Sequence, residues 1–95
     1  MARRVAWTEP ALDDLEAVAA YIARDSEHYS VAFVREIIEA AESLADMAER
    51  GHVVPELGEQ AIREVLVRPY RIVYRIESDR VLILAIVHGA LRRRR

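Results

Sequence analysis

The stretch Ile62–His88, IREVLVRPYRIVYRIESDRVLILAIVH, decides the fold. It predicts three consecutive strands. In the middle one, Tyr70, Ile72, Tyr74 and Ile76 alternate with Arg71, Val73 and Arg75. Successive strand side chains point to opposite sides, so a buried Tyr/Ile face leaves Arg71 and Arg75 on an open face. Ala61–Val67 is the expected strand before it, with Pro69 at the bend. Glu77–Arg80 reads as a polar turn, and Val81–Val87 as a last strand that is apolar at every position. A continuous apolar run of that length implies burial on both faces and an interior place in the sheet.

Upstream, Arg3–Trp7 predicts a short first strand. Thr8 suits a helix N-cap, with Glu9 and Pro10 in the first turn. Leu12, Leu15, Ala19 and Ile22 follow at helical spacing, so a helix is expected from about Thr8 to Arg24. After the polar break Asp25–His28, a second helix carries Phe33, Ile37, Ala40, Leu44 and Met47 on one face and stops at Gly51. Val34, Ile38, Ala41 and Ala45 form a weaker second row. The short break predicts an antiparallel helical hairpin, and His52–Gln60 reads as a loop. The expected architecture is two-layer α+β, in the order β-α-α-β-β-β. An N-terminal strand and a helical hairpin pack on a C-terminal three-stranded antiparallel meander. One domain is expected over residues 1–91, with 92–95 a mobile basic tail.

Composition narrows the function classes. The chain has 95 residues, 53% hydrophobic and 32% charged, which describes a soluble globular domain. With no cysteine there is neither a disulfide framework nor a thiolate metal site. No His/Asp/Glu spacing matches a metal site and no Gly-rich phosphate loop is present, so neither metal nor cofactor is expected. No apolar run reaches membrane-spanning length and no secretory signal is evident, which makes the cytoplasm the expected location. All 14 basic residues are arginines. Residues 1–60 hold 5 of them against 13 acids, and residues 61–95 hold 9 against 3, so the halves carry −8 and +6. Such asymmetry suits a polyanion site or an acidic protein partner.

Several local patterns, in this order and spacing, resemble the RelE/ParE superfamily of toxins from bacterial toxin–antitoxin modules. They are Trp7 with Ala11, Leu12, Asp14 and Leu15; Tyr21-Ile22; Ala32 with Ile37; Val54-Pro55-Glu56-Leu57; Ile62-Arg63-Glu64; Tyr70-Arg71-Ile72-Val73-Tyr74-Arg75; and Ile86-Val87-His88-Gly89. The resemblance covers nearly the whole chain. It implies an acidic, amphipathic antitoxin segment bound on the sheet face, and one of two targets. RelE-like members resemble ribonucleases that cut messenger RNA in the ribosomal A site, and ParE-like members inhibit DNA gyrase. The Val-His-Gly-Ala ending resembles the ParE branch. The lack of lysine, and of any tyrosine after Tyr74, departs from the RelE pattern. A third alternative is an inactive relative that acts only as an antitoxin-binding regulator.

For a ribonuclease the resemblance implies Arg71 on the phosphate, Arg63 as a second cation and His88 as acid–base, with Glu64 the nearest alternative base. For antitoxin or target binding it implies Arg63, Arg68, Arg71, Arg75 and Arg92. Simpler roles stand beside these: a surface ion pair for Arg71 or Arg75, and a strand-end imidazole bonded to backbone for His88. Tyr70, Tyr74 and Trp7 are expected in the core rather than stacked on bases. With Arg71 on an open face, Arg71→Ala is expected to cost little stability, and Tyr74→Ala to open a void.

Overall fold

The computed structural model describes residues 2–89. In chain order it comprises β1 (Arg4–Trp7), α1 (Glu9–Ala23), α2 (Glu27–Glu42), β2 (His52–Val53), β3 (Ile62–Val67), β4 (Tyr70–Ile76) and β5 (Arg80–His88). The strands form one sheet in the order β1-β5-β4-β3-β2. β3, β4 and β5 make the expected antiparallel meander, and β1 adds to it in parallel beside β5. β5 therefore lies inside the sheet. One element was not foreseen. Within the expected loop, His52 and Val53 pair with Glu64 and Arg63, which makes a short edge strand.

The first helix begins where the sequence signals it, after Thr8, whereas the second begins at Glu27, inside the expected polar break Asp25–His28, with Ser26 as its cap. The Thr8 hydroxyl accepts from Ala11 N at 3.1 Å and the Ser26 hydroxyl from Tyr29 N at 3.0 Å, which satisfies an orphan donor in each first turn. The face that α1 buries runs through Ala11 and Val18, flanked by partly buried Leu15 and Ile22. Leu12, expected in that row, is instead half exposed. Phe33, Ile37 and Ala41 are buried from the second helical segment, and Leu44 from the turn that follows it. That segment ends sooner than its apolar spacing predicts, at Glu42, and continues as two 3-10 turns, Ser43–Ala45 and Ala48–Arg50. Ser43 Oγ donates to Ala40 O, and Arg3 N donates to Ala45 O, which draws the chain toward the sheet. Met47, expected on the buried row, is thereby left exposed.

Under the helices lie Val65 and Val67 of β3, Ile72 and Tyr74 of β4, and Val81, Ile83 and Ile86 of β5. The expected Tyr/Ile face is thus the core face. In β5 the buried positions switch from odd to even numbers, because the register jumps from Tyr74↔Ile83 to Val73↔Ala85. Leu84 is the extra residue of a β-bulge. β1 ends opposite Ile83, so the bulge falls where β5 loses its parallel neighbour. α1 supplies substitutes there. Thr8 Oγ1 donates toward the Ile83 and Leu84 carbonyls, and Asp14 Oδ2 accepts from Ile86 N at 2.9 Å.

Candidate functional site

Directly opposed residues in an antiparallel ladder share a face. Arg63 opposes Tyr74, so it lies on the helix side of the sheet, whereas Arg71 and Arg75 lie on the other side with Leu66 and Ile62. The arginines expected to line one surface are therefore divided. Arg63 donates to the carbonyls of Gln60, Glu49 and Gly51 and to Gln60 Oε1, which fastens the chain before β2 to the start of β3. It works beside Tyr74, whose hydroxyl donates to Ala48 O at 2.7 Å and accepts from Gly51 N at 3.0 Å. Burial raises the Tyr74 phenol above its ordinary pKa, with the Gly51 hydrogen bond pulling the other way. Gly51 has no room for a side chain. A Cβ there would come within 2.5 Å of the Tyr74 hydroxyl and 2.6 Å of Glu64 O.

Arg71 corrects the sequence reading most sharply. It is on the predicted face but not exposed: it is 7% accessible and forms an ion pair with Glu64, which is 5% accessible. Its Nε has no hydrogen-bond partner among the described residues. Glu64, noted above only as an alternative base, is thus the counter-ion of this arginine.

His88 sits at the opposite end of the sheet from Arg63 and is exposed. It opposes Tyr70, and their rings meet edge to face at 5.3 Å between centroids. Tyr70 continues to Phe33 at 5.9 Å and Phe33 to Tyr29 at 6.1 Å, an aromatic row from β5 to the start of α2. The β4 partners of Arg63 and His88 are four residues apart, roughly 13 Å along a strand. Arg71 projects from the opposite face to both. These three residues do not converge on one point. Arg68 is exposed in the β3–β4 turn, and Arg92 lies outside the described residues, as does the expected tail 92–95.

The strand directions produce a different grouping. β1, β3 and β5 begin, and β4 ends, at the same end of the sheet. Arg3, Arg4, Arg75 and Arg80 come together there. Glu77 accepts from Arg75 Nε at 3.0 Å and from Arg80 Nε at 2.6 Å, while Arg3 Nε donates to the Glu77 carbonyl at 2.8 Å. The two guanidinium hydrogen bonds, that of Arg80 foremost, hold the Glu77 carboxyl below the usual range. Arg4 lies 3.6 Å from Asp79. The sequence reading missed Glu77 as a hub. Its signal was an acid in the hairpin turn with arginines two residues before and three after. No group of three or more His, Cys, Asp or Glu among the described residues could hold a metal ion.

This arrangement of helical hairpin and mixed sheet is the fold of the RelE/ParE toxins. A structure described as a chromosomal ParDE toxin–antitoxin system from P. aeruginosa superposes with a TM-score of 0.75 at 22% identity, covering 90% of this chain and 95% of that one. A toxin–antitoxin complex from Mycobacterium tuberculosis, RelBE2, superposes at 0.67 and 22% identity, covering 93% and 99%. A curated relative, Toxin RelE2 of Caulobacter vibrioides, is 38% identical over 88 residues, which are 92% of this chain and 96% of the relative. The family model described as the ParE toxin of type II toxin–antitoxin system, parDE, matches residues 5–91, and the chain belongs to that family.

Proposed function

We propose that this chain is a ParE-like toxin that inhibits DNA gyrase by binding it, in the cytoplasm, and is neutralised by a cognate antitoxin protein. The observation that carries the choice is the buried Arg71–Glu64 ion pair. Cleavage at a phosphate needs an acid–base group and cations converging on one oxyanion. Here the arginine that chemistry would call on is neutralised within the sheet, Arg63 clamps backbone carbonyls, and His88 stands apart from both. A binding mechanism needs no such convergence. The family-model match to ParE supports the same branch. The ribonuclease reading has one observation in its favour, the name Toxin RelE2 of a relative 38% identical.

The test pairs two measurements. Purified chain is added to a gyrase supercoiling assay, and messenger ends are mapped after induction in cells. Inhibited supercoiling with intact A-site codons is the expected result. Truncated messengers with unaffected gyrase would overturn the proposal in favour of the ribonuclease. If neither occurs while a neighbouring small protein still copurifies, the chain is an antitoxin-binding regulator only.

A further inference from the structure

We propose that the corner where β4 turns into β5 is a carboxylate-binding site for an acidic, apolar-interrupted segment of the partner protein. The identity of that partner rests on the antitoxin reading above.

Four arginines and two acids meet here, a surplus of two positive charges: Arg3, Arg4, Arg75 and Arg80 against Glu77 and Asp79. A guanidinium offers five N–H donors in a planar fork suited to carboxylates. Arg75 and Arg80 each use Nε on Glu77, which fixes both groups and leaves their Nη donors for a further acceptor. Their side chains are 40% and 37% accessible, so an incoming acid reaches them without unfolding anything. A preorganised fork loses less freedom on binding than a free one.

The surroundings select the kind of acid. Arg4 opposes Arg80, and Arg75 opposes Leu82, so these arginines share the sheet face away from the helices with partly buried Ala6, Leu82 and Val73. An extended segment alternating carboxylates with small apolar side chains matches that surface. Nucleic acid matches it poorly. Trp7, Tyr70 and Tyr74 lie on the helix side, and no described aromatic of the sheet faces this side to stack on bases. The corner lies at the other end of β5 from His88.

The chain is co-expressed with any small protein encoded beside it, and the affinity of the resulting complex is compared for the parent and Arg75→Gln/Arg80→Gln. At least tenfold weaker affinity and a shallower salt dependence are expected, with no change for Arg24→Ala/Arg35→Ala. Where the Gln pair melts early, Arg75→Lys/Arg80→Lys, which keeps both charges but not the forks, takes its place, with weaker affinity expected at an unchanged salt dependence. In parallel, decaglutamate and decathymidylate are titrated into the isolated chain by NMR. The Nε–Hε signals of Arg75 and Arg80 should shift with decaglutamate. Unaltered affinity in the variants, or shifts with decathymidylate alone, overturns the proposal. If the neighbouring protein does not associate at all, the antitoxin reading fails, and the decaglutamate titration decides the corner by itself.

Discussion

Arg71 and Glu64 form a buried ion pair across the β3–β4 ladder, two positions out of direct opposition, since Glu64 faces Val73 and Arg71 faces Leu66. Both side chains are less than a tenth accessible. Each charge is desolvated, and their attraction offsets that cost only while both are present.

Removing one member should therefore be expensive. Arg71→Ala is expected to destabilise by about 3–5 kcal/mol, because Glu64 stays buried without its arginine. Arg75→Ala, on the same face but 40% accessible, should cost no more than about 1 kcal/mol. Urea unfolding of both variants checks this. Equal midpoints would mean that the ion pair contributes nothing. Replacing both partners together, as Arg71→Met/Glu64→Leu, should recover much of the loss.

Tyr74→Phe removes the hydroxyl that bridges Ala48 O and Gly51 N. Leaving those buried groups without it should cost about 1–3 kcal/mol. A melting temperature equal to the parent's would show that the bridge is dispensable.

Gly51→Ala puts a methyl within 2.5 Å of the Tyr74 hydroxyl and 2.6 Å of a backbone oxygen. The chain before β2 must move, at about 1–3 kcal/mol. Combining it with Tyr74→Phe should relieve part of the clash, so the two costs should add to less than their sum. Strict additivity in a double-mutant cycle would rule out their contact.

Two groups give opposite pH signatures. Glu77 has its folded-state pKa lowered by Arg80 and Arg75, so its contribution is present above the ordinary carboxylate range and is lost as pH falls through the folded value. Tyr74 has its pKa raised above 10.0 by burial, so the folded state holds its proton more tightly. Its contribution is complete below pH 10.0 and declines as pH rises through the folded value. Glu77→Gln should flatten the acid limb of a stability–pH curve, and Tyr74→Phe the alkaline limb. An unchanged limb in either variant counts against that group.

The period-two pattern of β4 was enough to determine the core face. Tyr70, Ile72, Tyr74 and Ile76 are the side facing the helices because alternation is a local property of an extended chain, and the Thr8 cap is equally local. The family resemblance was legible for the same reason, in short runs at set spacing. The positions of the arginines were not. Arg63 and Arg71 lie on opposite faces because the register set by the β3–β4 turn pairs Arg63 with Tyr74. The bulge at Leu84, which moves the buried positions of β5 from Val81 and Ile83 to Ile86, is hidden in a run where every residue is apolar. Nor does sequence separation show that residue 4 lies beside residue 80. The parallel pairing of β1 with β5 decides that, and with it which charges neutralise one another and which remain for a partner.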